Sequence, residues 1–242
     1  MVDHLGQAMR WIANDCAETM TSLEDVTIVF MGDYIDRGPA SRAVLDMLML
    51  MRDTSPPTIV ILRGNHDEMM LQALRYRSKT HEVCWLQNGG LETLKNYEKP
   101  VAARGFERSL YDDAVYAHLD FIESMDLFYE DEHRVYVHAG VRGSFQRMGL
   151  QQPFDLLWIR PSEMDEAWPA GMPVEPKLVV HGHTPGHPGI PEKTFGIDGG
   201  ACFDTGHLKV VKFDDQHRDP IHIQEIRPIK MAGVNDNKVK AA

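Results

Sequence analysis

Short β-branched apolar runs, each cut off by a polar loop rich in Gly, Asp and His, constrain this chain more than any other feature. Residues 26–31 (VTIVFM) stop at Gly32, and residues 58–62 (TIVIL) stop at Arg63-Gly64. Runs of this length and composition read as buried strands. Between them, residues 41–51 place Val44, Leu45, Leu48 and Met49 on one helical face. The resulting order of strand, loop, helix and strand predicts an α/β fold.

The chain opens MVDHLGQAMRWIANDC, with Val2, Leu5, Met9 and Ile12 at helical spacing and neither a capping residue nor a leader in front of them. An α/β domain that begins inside a helix is unusual. Residues 68–124 carry a helical pattern broken at Asn88-Gly89-Gly90 and near Pro100, which predicts a helical insertion over one sheet edge. Residues 127–129 and 134–138 flank a polar turn and predict a hairpin. Residues 177–180, 194–197 and 207–213 are further strand candidates, and after Pro228 the sequence loses all period. A single domain over 1–228 is expected, followed by a frayed tail over 229–242.

Composition narrows the functional classes. The formal net charge of −11 disfavours sequence-independent binding to nucleic acid, which needs clustered Lys and Arg. No apolar run approaches the roughly 18 residues that would predict a membrane span. Cys16, Cys84 and Cys202 are odd in number and lack C-x-x-C spacing, so a reducing compartment, the cytoplasm, is expected. Nothing in the sequence fixes the oligomeric state.

Four polar blocks stand where strands end: Gly32-Asp33-Tyr34-Ile35-Asp36-Arg37-Gly38, Gly64-Asn65-His66-Asp67, His138-Ala139-Gly140 and His181-Gly182-His183-Thr184. Ligands collect at the carboxyl ends of strands in open α/β sheets, so the four loops are expected to converge. Each block alone is compatible with a polar turn, a helix cap or a hydrogen-bonded histidine. Their joint occurrence, in order, points to one site. Oxygen and imidazole donors without thiolate suit Mn, Fe or Zn. A carboxylate such as Asp33 has two oxygens and can bridge two ions roughly 3.5–4 Å apart, lowering the pKa of a shared water. Arg37, Arg63 and Arg160 are candidates to neutralise a phosphoryl group, since guanidinium matches phosphate oxygens in a fork. His66, oriented by Asp36, is the candidate acid for a leaving oxygen.

Taken with WLQNGGLETL (85–94), VHAGV (137–141), DLLWIR (155–160), VVHGHTP (179–185) and IDGGACFD (197–204), these blocks resemble the calcineurin-like metallophosphoesterases, and among them the bacterial phosphoprotein phosphatases. The resemblance implies a four-layer αββα sandwich with the site at the strand ends. It implies that Asp33 bridges two divalent metals, Mn2+ foremost, while Asn65, His138 and His183 hold one of them. It further implies that His66 with Asp36 serves as acid, that Arg37, Arg63 and Arg160 grip phosphate, and that His181 and Asp67 are lesser candidates. Phosphoserine or phosphothreonine in proteins is the implied substrate class, with phosphoanhydrides such as dinucleoside polyphosphates as the alternative.

One departure stands out. Members of the family begin with a strand ending in Asp-x-His-Gly, which supplies two ligands to the other metal, and no such block is intact here. Asp3-His4-Leu5-Gly6 does not replace it, because adjacent Asp and His on a strand point to opposite faces. The expectation is that the block lies immediately upstream of Met1 and that the start was set at an internal Met. A truly shortened chain, binding one metal without turnover, is the other reading.

Overall fold

The computed structural model describes residues 2–98, 112–143, 148–167 and 177–227. Helix α1 (Val2–Thr19) leads into β1 (Thr27–Phe30), α2 (Ser41–Thr54) and β2 (Thr58–Ile61), and β1 and β2 pair in parallel. The polar block after β2 starts α3 (Asn65–Met70), which leads through π turns into α4 (Lys79–Trp85) and α5 (Leu91–Lys95). Helix α6 (Ala114–Glu123) follows. The helical reading of 68–124 therefore holds for its described residues, while the break near Pro100 lies outside them.

The second sheet is the predicted hairpin extended by two parallel strands. Strands β3 (Phe128–Glu130) and β4 (Arg134–Val137) pair antiparallel, and β5 (Leu178–His181) and β6 (Thr194–Gly196) then add in parallel. Helix α7 (Pro153–Trp158) starts with Pro in its first turn, where the missing N–H costs nothing, and α8 (Pro161–Ala167) follows. Strands β7 (Leu208–Lys212) and β8 (His222–Ile226) form a separate antiparallel pair. Sequence periodicity did not indicate β8.

Three apolar interiors stack these elements into helix, sheet, sheet and helix layers. Leu45 and Leu48 of α2 and Ile122 of α6 pack with Ile61, Phe30 and Ile59 on one face of β1 and β2. On the other face, Val29 and Val60 meet Tyr136, Leu178 and Val180 of the second sheet. Leu156 of α7 packs with Val137 and Val179 on the outer side of that sheet. This is the αββα arrangement. Strands β4 and β5 are buried on both faces and correspondingly almost wholly apolar. In α1, Leu5, Ala8 and Cys16 are buried, whereas Ile12 borders a large cavity between β1 and β7. Among the described residues, no helix is long and apolar enough to cross a membrane.

Candidate metal and phosphate site

The four polar blocks meet at one end of the sandwich. The His138 Nδ1–H donates to the Met31 carbonyl at 2.7 Å, tying the end of β4 to the end of β1. Gly32 makes that approach possible: its φ is +95°, and a Cβ there would lie 2.6 Å from His138 Nδ1 and 2.7 Å from the Gly64 backbone. Tyr34 closes the remaining gap. Its hydroxyl donates to the Leu62 carbonyl at 2.7 Å and accepts from Gly32 N–H at 2.9 Å.

Asp33, Asn65, His138 and His183 come together there. Asn65 Oδ1 lies 3.0 Å from His138 Nε2 and 2.9 Å from His183 Nδ1, and Asp33 Oδ1 lies 3.4 Å from His138 Nε2. Ligand atoms of Asp33, His138 and His183 all fall within 4.8 Å of one another. A carbonyl oxygen only accepts, so the bond to Met31 places a proton on Nδ1 of His138, and in the neutral form that a ligand must take the ring presents a bare lone pair on Nε2. That lone pair faces two oxygens. Three acceptors converging without a donor repel one another unless a cation lies among them, and this donor set fits a divalent metal. His183 adds a buried Nε2 without a hydrogen-bond partner, and burial together with the charges of His138 and Arg160 pushes its pKa down to about 3. It stays neutral, as a ligand must. Burial pushes the Asp33 carboxyl up, but the charges of His138 and His66 and the His66 backbone N–H outweigh it, and the net shift is downward.

His66 sits beside this cluster. Its Nδ1–H donates to Asp36 Oδ2 at 2.6 Å, while its Nε2 faces Arg37 Nη2 at 3.3 Å. Burial pushes the His66 ring down, but the Asp36 bond and the charges of Asp33 and Asp36 more than offset it, so its pKa is raised. Asp36 is itself fixed by Trp85, whose Nε1–H is 3.0 Å from each carboxylate oxygen, and by Thr93, whose hydroxyl donates at 2.7 Å. Gly90 lets the Trp85 ring lie against the backbone, since a Cβ there would meet the ring at 2.6 Å. Sequence reasoning gave Trp85 and Thr93 no role; the block WLQNGGLETL that contains both was the available signal.

The other candidates divide. Arg37 lines the cavity with its guanidinium 5.4 Å from the Phe203 ring centre, and Arg160 reaches the His183 carbonyl and Thr184 Oγ1 at 3.4 Å. Arg63 turns elsewhere. It pairs with Glu68 at 2.8 Å and donates to the carbonyls of Glu123 and Met125, bracing the end of α6. His181 is buried away from the cluster with Nε2 on Thr194 Oγ1 at 3.2 Å, and burial pushes it down to about 4. Asp67 is a brace for the loop. Its carboxylate accepts from Asp33 N (2.8 Å), Gly64 N (2.9 Å) and Tyr34 N (3.1 Å), while burial and the Asp33 charge push its pKa up to about 7. Four site residues hold left-handed backbone: Asp33 (φ 60°), Asp36 (73°), Arg37 (60°) and His183 (64°). Such conformations cost about 1–3 kcal/mol each and cluster at functional sites.

Known proteins are similar to this chain over part of its sequence. A 63-residue stretch is 41% identical to serine/threonine-protein phosphatase 1 of Salmonella typhimurium, covering 26% of this chain and 25% of that one. A 48-residue stretch is 35% identical to serine/threonine-protein phosphatase PP1-1 of Saccharomyces cerevisiae, covering 20% of this chain and 15% of that one. The alignments thus span a quarter or less of either relative. The family pattern described as calcineurin-like phosphoesterase matches far more, residues 4–218. With most of its length matched and its polar loops gathered at the strand ends, the chain belongs to the calcineurin-like phosphoesterase family.

Proposed function

We propose that this chain is a metal-dependent hydrolase of phosphate monoesters, and that its substrates are phosphoserine and phosphothreonine in proteins. The observation that carries the reading is the His66–Asp36 pair, 2.6 Å apart, set against Asp33, Asn65, His138 and His183. Those four residues would hold a divalent cation, with Mn2+ as the proposed native ion and Asp33 the carboxylate that a second ion would share; so loaded, the site would supply an activated water and neutralise phosphoryl charge. The chain's own residues do the rest. Arg37 and Arg160 flank the cluster and donate their N–H groups to the phosphoryl oxygens. As a water oxygen bonds to phosphorus and the P–O bond to the leaving oxygen breaks, the protonated His66 ring gives its Nε2 proton to that oxygen, Asp36 holds the ring in position through Nδ1, and the proton the water loses restores His66. Arg63 supports the fold and is left out of the phosphate grip. The names of the two relatives support the protein substrate over a phosphoanhydride, and free cysteines at 16, 84 and 202 fit a cytoplasmic setting.

The test is turnover with Mn2+ of a phosphoserine peptide, read as released phosphate, and of diadenosine tetraphosphate, read as released nucleotides by chromatography, beside Asp33→Asn and His66→Asn. Faster turnover of the peptide, lost in both variants, supports the reading. Preference for the anhydride, or turnover indifferent to Asp33→Asn, overturns it.

A further inference from the structure

A second polar line runs through the helical layer, clear of the metal cluster. Tyr97 and His118 are both buried there. His118 Nε2 lies 3.0 Å from Asp46 Oδ1, and a carboxylate only accepts, so Nε2 carries the ring proton. The neutral ring then offers Nδ1 as an acceptor, and the Tyr97 hydroxyl donates to it at 2.7 Å. Burial, helped by the Arg42 charge, pushes His118 down by more than Asp46 pulls it up, and burial pushes the Tyr97 hydroxyl up, so both keep these states near neutrality. Arg42 closes the outer side, 3.9 Å from Asp46 and 3.1 Å from Asp112. The line thus ties α2, through Asp46, and α6, through His118, to the end of α5, where Tyr97 follows.

Helix α5 is the element that serves the candidate acid. It has only 5 residues, too few to hold a helical conformation alone, and Thr93 stands four positions before Tyr97 on the same buried side. The Thr93 hydroxyl donates to Asp36 Oδ1 at 2.7 Å and accepts from the Asp36 N–H at 2.9 Å and from Ser41 Oγ at 3.0 Å, which uses its full capacity. Ser41 opens α2, and Asp46 lies further along it. Helix α2 therefore grips α5 twice, at Thr93 through Ser41 and at Tyr97 through His118. Apolar packing alone leaves a short helix free to slide, whereas satisfied hydrogen bonds at both positions fix it.

We infer that Asp46, His118 and Tyr97 are positioning residues for the proton donor: by fixing α5 they keep Thr93 on Asp36, and so the His66 ring in line with the leaving oxygen. The inference rests on the reading of His66 as the acid. Its test compares phenyl phosphate, whose leaving oxygen needs a proton, with 2,4-dinitrophenyl phosphate, whose far more acidic phenol departs without one. With Mn2+, Tyr97→Phe and Asp46→Ala should lower kcat on phenyl phosphate about three- to fivefold, leave KM unchanged and leave kcat on the dinitrophenyl ester within about twofold. Asp46→Asn, whose amide oxygen still accepts from Nε2, should behave as the parent. Asp46 is exposed, so its variants fold even if Tyr97→Phe does not. The NMR signal of the Trp85 indole N–H, which contacts Asp36, needs no turnover. In metal-free protein it should move in Tyr97→Phe and Asp46→Ala and keep its place in Asp46→Asn and in Asp131→Asn, which loosens the far end of the sandwich instead. Equal slowing of both esters, or an unmoved indole signal in Tyr97→Phe and Asp46→Ala, overturns the inference. His66→Asn tells the two failures apart. If it slows both esters alike, or if the parent turns over neither, the reading of His66 as acid falls and the inference with it; if it spares the dinitrophenyl ester and Tyr97→Phe does not, only the positioning role falls.

Discussion

The indole N–H of Trp85 reaches both carboxylate oxygens of Asp36 at 3.0 Å, two contacts removed from the proton that His66 is proposed to deliver. Trp85 is fully buried and touches no reacting atom. Its effect must pass through Asp36 and then through the ring of His66.

Trp85→Phe keeps an aromatic ring and removes only the donor. We expect kcat on an aryl phosphate to fall roughly tenfold while Mn2+ affinity stays within about twofold, since general acids contribute ~10²–10⁴ and only part of the alignment is lost. In a His66→Asn background the same change should cost nothing further. An equal drop in both backgrounds would mean that the indole acts on folding alone.

Arg37 and Arg63 are both arginines of strand-end loops, yet their surroundings differ. Arg37→Lys should raise KM on a phosphopeptide with Tm little changed, because the fork toward phosphate is lost. Arg63→Lys should leave KM alone and lower stability by about 1–3 kcal/mol, since it breaks a half-buried pair with Glu68 and two carbonyl contacts. Urea melts and initial rates on the two variants separate the roles.

Metal affinity provides a direct check on the ligand cluster. Asp33→Asn, His138→Ala and His183→Ala should each weaken Mn2+ binding in calorimetry by about tenfold or more, whereas His181→Ala should not. A loss with His181→Ala matching that of His183→Ala would show that the wrong histidine of HGHT has been assigned.

Asp131 couples the far end of the sandwich to pH. Burial pushes its carboxyl up, but Arg134, the His133 N–H and the Tyr136 hydroxyl together bring it below the ordinary aspartate value. A depressed folded-state pKa stabilises above the unfolded value of about 3.9 and loses that contribution as pH falls through the folded one. Asp131→Asn should therefore be less stable than the parent at pH 7, with the gap closing as the pH drops below about 4. Denaturant melts across that range test the sign.

Much of the framework was legible because periodicity and turn residues act locally. The run TIVIL starts where β2 starts and ends one residue past it, and the hairpin around residues 130–133 follows from apolar residues flanking a polar turn. Strand β8 was missed for a physical reason: HIQEI alternates weakly and is mostly exposed, so its identity comes from pairing with β7 rather than from its own composition. The convergence of Asp33, Asn65, His138 and His183 could be expected from their places after strands. What could not be read was direction. Arg63 follows a strand in the same way as Asp33, and only the tertiary position of Glu68 and the end of α6 decides that it turns toward α6 and away from the cluster. The braces Trp85 and Thr93 act across more than forty positions of chain, with separations of 49 and 57 from Asp36, beyond any local pattern.

The bond from His138 to the Met31 carbonyl joins the two sheets and at the same time selects which imidazole nitrogen carries the proton. The tautomer needed for coordination is therefore a product of closing the sandwich. In a chain whose sheets had parted, His138 would be free to protonate Nε2 and would lose its readiness to ligate. A cation bound at this cluster would therefore find its ligand only where the two sheets are joined, so that closing the sandwich and forming the site would be a single event.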